Sequence, residues 1–163
     1  MAPSAVVSIG VYGFDRQSFL ACLGEADVRM LIDVRQRRGV RGPDYAWANA
    51  QRLQAALAEA GIAYEHRKDL APTTELRQVQ YAEDDRQGVG KRSRRVLAEE
   101  YARRYAAEIL DDVDLGPLVA DLPSDGVTAL LCVETDAVAC HRSIIAARLT
   151  DEHGVEVTHL TPG

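Results

Sequence analysis

Cys132, Glu134, Asp136, Cys140, His141 and Arg142 fall within one short stretch, and together they hold two thiols, two carboxylates, an imidazole and a guanidinium. That set supports three kinds of chemistry. A strand-end cysteine acts as a nucleophile when a helix N-terminus or a nearby cation depresses its pKa, and His141 and Arg142 are the cations at hand for Cys132. The bland alternative is a small buried hydrophobe, a common fate of free cysteine. Glu134 and His141 can exchange a proton as base and acid, with Asp136 orienting a ligand or capping a helix. The same groups can instead pair with Arg142 and Arg35 as a polar network. Cys132, Cys140, His141 and His159 match zinc's preference for sulfur and imidazole. Adjacent Cys140 and His141 would project from different sides of a helix, however, so no metal is expected and the cofactor is left unknown.

The elements that must position these groups follow from the apolar pattern. Residues 128–133 form a continuous apolar run that suits a buried strand, and from Asp136 the spacing of Ile144, Ile145, Ala147 and Leu149 becomes helical. Residues 5–11, 28–34, 62–66 and 155–160 read as further strands. Helices are expected from Asp15, over 45–60 and 74–82, over 93–110 with Leu97, Tyr101, Tyr105 and Ile109 as a core stripe, and weakly around 118–122. Residues 36–44 read as an arginine- and glycine-bearing loop, and residues 84–90 as a mobile link. Alternating strands and helices predict one α/β domain over residues 1–163, with a mostly parallel, Rossmann-like sheet covered on both faces. Parallel strands bring Tyr12, Asp33, Arg35, Lys68, Cys132 and Glu134 to one sheet edge, with His159 joining from the last strand. Ligands bind at that edge in open α/β sheets. Asp33 and Arg35 are costly to bury unless they pair with each other or with something bound. His66 and His153 are given no role.

The composition, 47% hydrophobic and 27% charged, is that of an ordinary globular protein, and no run is long enough for a membrane span. Three cysteines without scaffold spacing are expected to be reduced, and the chain is expected to be cytoplasmic. A net charge of -6 argues against a protein that coats nucleic acid nonspecifically, but the arginines are clustered. Residues 29–41 hold five arginines against Asp33 alone, and residues 86–104 hold seven basic groups against Glu99 and Glu100. Guanidinium binds phosphate and carboxylate bidentately, so an anionic ligand is favoured. The second cluster reads equally well as a solvated helix face.

These residues carry a resemblance. Ile9-Gly10, Asp33-Val34-Arg35, the string Cys132-x-Glu134-x-Asp136-x-x-x-Cys140-His141-Arg142-Ser143 and the closing Val157-Thr158-His159-Leu160 resemble the domain-of-unknown-function 488 family. Family members often carry His-Ser or Tyr-Ser after the first Ile-Gly, where this chain has Val11-Tyr12. The resemblance implies an α/β fold with a polar pocket and names no activity. More loosely, 31–35 and the segment from Arg142 to Leu149 are similar to parts of rhodanese-type sulfurtransferase domains, in which a strand also ends at the nucleophilic cysteine. Here ten positions separate Cys132 from Arg142, too many for that family's short persulfide-cradling loop.

The expectation is therefore an anion-binding pocket in an enzyme acting on a phosphorylated small molecule, a nucleotide or a nucleic-acid end. Cys132, Glu134 and His141 are its candidate catalytic residues. Asp33, Arg35, Arg41, Asp136, Cys140, Arg142, Tyr12 and His159 are its candidate ligand contacts. A thiol-dependent sulfur or acyl transferase using Cys132, and a noncatalytic nucleotide or nucleic-acid binding module, are the alternatives. Oligomeric state is not legible in the sequence.

Overall fold

The computed structural model describes residues 5–90 and 93–162. Five strands, β1 (Val6–Ile9), β2 (Val28–Asp33), β3 (Ala63–His66), β4 (Val127–Leu131) and β5 (Val157–His159), form one all-parallel sheet in the order β3-β2-β4-β1-β5. Every residue of β1 and β4 is buried, as expected of central parallel strands, whereas β3 and β5 alternate or open to solvent at the edges. The order differs from the 3-2-1-4-5 start of the dinucleotide-binding fold because β4 lies between β2 and β1.

The chain leaves β1 and β2 towards the β3 edge, through α1 (Arg16–Glu25) and α2 (Ala50–Glu59). It leaves β3 and β4 in the opposite direction, through α3 (Thr74–Gln87), α4 (Glu99–Glu108), α5 (Gly116–Ala120) and α6 (Arg142–His153). Right-handed crossovers then put α1 and α2 on one face and α3 to α6 on the other. Around β4 the connections diverge to opposite faces, which opens a crevice at the carboxyl ends of β2, β4 and β1. Among the described residues no helix is long and apolar enough to cross a membrane.

All five expected strands form, but three helical expectations are corrected. The helix expected over 45–60 divides into a 3-10 turn, Pro43–Ala48, and α2, because Asn49 is extended. The link expected over 84–90 is mostly the last turn of α3, which Gly88 ends in the left-handed conformation (φ 68°). The long helix expected over 93–110 begins only at Glu99, since the segment before it runs as coil and sends the Arg94 side chain inward. Lys91 and Arg92 of the second arginine cluster lie outside the described residues. The core stripe of that helix holds at Tyr101 and Tyr105, both buried and stacked with centroids 6.3 Å apart. Arg86 and Arg104 pair with Glu83 and with Glu75 and Glu108, as on a solvated face.

Candidate functional site at the strand ends

Two register facts assemble the site. Ile9 and Asp33 both lie opposite Leu131, so the residues that follow, Gly10, Val34 and Cys132, come together at one edge. Tyr12 and Val11 then donate their amides to the Val133 carbonyl, and Thr135 Oγ1 donates to the Tyr12 carbonyl. Gly10 is required by this approach, because a Cβ there would overlap the Glu134 carbonyl oxygen. The turn after β4 is thus clasped by the turn after β1.

Arg142 holds the turn from the other side. Its guanidinium is fully buried and donates through Nη1 to the Glu134 carbonyl (2.8 Å), through Nη2 to the Thr135 carbonyl (3.1 Å) and through Nε to Ser8 Oγ (3.1 Å). Ser8 Oγ also shares a hydrogen bond with His159 Nδ1 (2.5 Å). Burial and the nearby Arg142 charge both pull the His159 pKa down. His159 therefore braces Arg142 from behind.

Cys132, Glu134, Cys140 and His141 form the floor of a recess with about 490 Å³ of empty space, including its open mouth. The three expected catalytic residues are in contact. Cys132 Sγ lies 3.2 Å from Glu134 Oε2 and 3.7 Å from His141 Nδ1, and Cys140 Sγ lies 3.6 Å from the same Nδ1. His141 Nε2 is 2.8 Å from the Val34 carbonyl, which can only accept, so Nε2 carries a proton and Nδ1 faces the sulfurs. The Tyr105 ring packs against the imidazole, with centroids 5.3 Å apart. Burial pulls the His141 pKa down, but Cys132, the Val34 carbonyl and Glu134 together outweigh it and the net shift is upward.

Helix α6 begins at Arg142, so Asp136 is not its N-cap; it starts only a 3-10 turn, Ala137–Ala139, and makes no side-chain capping bond. Asp136 is exposed and does not line the recess. Cys140 is extended (φ -137°, ψ 149°) and His141 precedes the helix, so their side chains converge. The geometric reason for expecting no metal is thereby removed.

Other expected contacts are placed differently. Asp33 is fully buried and takes a bidentate bond from Arg35, at 2.9 Å to Nε and 2.8 Å to Nη2, while Arg35 Nη1 donates to the Ala48 carbonyl. Arg35 lines the recess, but its Nε, Nη1 and Nη2 each donate internally, and neither Asp33 nor Arg142 reaches the lining. Tyr12 and Arg41 line a wider groove that shares Arg37, Arg77, Tyr81 and Val133 with the recess. Lys68 lines a further cleft with Arg38 and Arg52, which meets the recess at Gln36 and Arg37.

The residue that sequence reasoning missed is Arg94. It is buried, donates through Nε and Nη2 to Asp84 and through Nη1 to Glu134 Oε1 (3.1 Å), and also bonds the Ala139 carbonyl. Arg77 was also passed over. It donates to Gln36 Oε1 and the Tyr81 hydroxyl and lies 5.5 Å over the Tyr81 ring. No periodic signal links these positions in sequence.

The fold and the buried strand-end cluster define an α/β protein with a polar recess at the carboxyl edge of its sheet. The chain belongs to the family described as Domain of unknown function DUF488, whose model matches residues 15–149. The match covers the Cys132–Ser143 string and leaves out Ile9-Gly10 and the closing strand. No curated protein and no solved structure matches the chain.

Burial and the neighbouring Cys140 push the Cys132 thiol up to about 12. Native Cys132 should thus alkylate at pH 8 far more slowly than half-buried Cys22, and peptide mapping after brief labelling would expose any fast reaction at Cys132. Because the folded value lies above the ordinary 9.0, stability is fully present below about pH 9 and is lost as pH rises towards 12. Tyr101 and Tyr105, raised mainly by burial, act in the same direction. Denaturant midpoints measured from pH 7 to 11 should fall as pH rises, most steeply above about pH 9.

Proposed function

We propose that the recess binds a substrate carrying a phosphate or related anionic group, and that the protein is an enzyme acting on it. The observation that carries this reading is the pair Arg37 and Arg77 at the junction of recess and groove, neither matched with a carboxylate among the described residues. Both keep an uncompensated charge beside a floor of proton-transfer groups, where an anion would gain charge-assisted bonds. Phosphorylated small molecules, nucleotides and nucleic-acid ends are the substrate classes that fit. Glu134 is the group best suited to act as base, because His141 turns its free nitrogen to the thiols and reaches a substrate only through Cys132. Three unpaired cysteines fit a reducing, cytoplasmic setting.

The thiol-transfer alternative rests on the His141 nitrogen beside Cys132. Against it stand burial of the sulfur and the Glu134 carboxylate at 3.2 Å, both of which oppose a thiolate. Titration of pyrophosphate, nucleotides and short oligonucleotides at two salt concentrations tests the main reading. Arg37→Ala and Arg77→Ala should each weaken binding about tenfold, or about 1.4 kcal/mol. Equal affinities for wild type and both variants would defeat it, and tight binding without turnover of any bound ligand would favour a noncatalytic sensor.

A further inference from the structure

Cys132, Cys140 and His141 each offer one ligand atom, and these three atoms lie within 4.8 Å of one another in a fully buried cluster. As a thiol, Cys132 donates through Sγ to Glu134 Oε2 at 3.2 Å. With Nε2 donating to the Val34 carbonyl, Nδ1 has one in-plane lone pair, yet two sulfurs stand at 3.6 and 3.7 Å from it. Cys140 is left to donate to that lone pair, so hydrogen bonding accounts for one sulfur beside Nδ1 while two converge on it.

As a ligand set the two sulfur–nitrogen distances fit. Zinc bonds of roughly 2.3 Å to sulfur and 2.0–2.1 Å to nitrogen put tetrahedral sulfur and nitrogen ligands about 3.6 Å apart. The Nε2–carbonyl bond is the outer-shell contact that fixes the tautomer and aims a ligating histidine. Tyr105 packs on that imidazole and donates its own hydroxyl to the Leu70 carbonyl, so the ring is held from two sides.

We propose that Cys132, Cys140 and His141 form a transition-metal site suited to zinc, with the fourth position open to the recess. The reading stands whether or not an anion binds above it. Two thiols lose their protons to solvent as two zinc–sulfur bonds form, and the neutral imidazole adds a third bond through Nδ1. The dication balances the two thiolates, which removes the cost of burying them as anions. Glu134, whose Oε2 lies 3.2 Å from Cys132 Sγ, and Arg94, which bonds Glu134 Oε1, then border the open position. Three protein ligands with one open position is the pattern of a catalytic rather than a structural zinc.

The test uses the full chain, purified under reducing conditions, stripped with a chelator and titrated with zinc against a chromophoric competitor. One ion per chain should bind, and cobalt in its place should give sulfur-to-cobalt charge transfer with the intense visible bands of tetrahedral coordination. Cys132→Ser and Cys140→Ser should each weaken zinc binding by at least about 100-fold, whereas Cys22→Ser on α1 should leave it unchanged. The wild-type cobalt spectrum requires no variant to fold. Absence of saturable binding, a cobalt spectrum without sulfur charge transfer, or wild-type affinity in Cys140→Ser overturns the proposal. So does a Cys132–Cys140 disulfide whose reduction yields no zinc binding.

Discussion

Replacing Arg142 with alanine is expected to remove about 4 kcal/mol of folding stability. The substitution leaves the Glu134 and Thr135 carbonyls without their donor and opens a cavity where a fully buried guanidinium stood. An orphaned buried acceptor such as the Glu134 carbonyl costs about 1–3 kcal/mol, and the part-buried Thr135 carbonyl and the cavity add to that. Lysine should rescue only part of the loss, because a single ammonium cannot reproduce three diverging bonds from a planar fork. Urea denaturation gives the number directly. A loss below about 1 kcal/mol would mean that water replaces the guanidinium and that the turn after β4 does not depend on it.

The second large effect is expected at Arg94. Alanine there removes the guanidinium that two buried carboxylates, Asp84 and Glu134, share, and removing one member of a buried ion pair costs about 3–5 kcal/mol. The damage should be electrostatic, so adding Asp84→Asn and Glu134→Gln to the variant should return a substantial part of the stability although the cavity remains. A triple variant no more stable than Arg94→Ala would show that packing of the Arg94 stem, and not its charge, holds α3 against the β4 turn. Because Glu134 also accepts from Cys132, the same variant should alter the chemistry of the recess even where it folds.

The residues differ in how far they could be read in advance, and the reason is the range of the interactions involved. Strands announce themselves locally, and the apolar runs at 28–34 and 128–133 gave both position and parallel pairing. Asp33 and Arg35 were legible as a pair because they are two residues apart and burying either alone is costly. Cys132, Glu134 and His141 converge as their spacing suggested. The start of α6 was misplaced because Asp136 has the chemistry of a cap, while the extended conformation of Cys140 that delays the helix leaves no composition signal. Arg94 was hidden inside an apparent helical stripe, and its partners Asp84 and Glu134 come from two other elements. The need for glycine at position 10 lies in the Glu134 carbonyl, distant in sequence and visible only in space.

The place of β4 in the sheet also bears on how the molecule assembles. β1 and β2 share no hydrogen-bonded ladder, and each instead pairs with β4, which follows both by a long stretch of chain. Until β4 inserts, β2 with β3 and β1 with β5 have no common sheet, so closure waits on contacts of large sequence separation. Such non-local pairing is slow, and apolar strand edges are exposed to aggregation while it is pending. The same insertion delivers Cys132 to Val34 and Gly10 to the Glu134 carbonyl. No stage of folding therefore holds a finished scaffold with the cysteine cluster still to be docked: the last strand to enter the sheet's centre brings the chemistry with it.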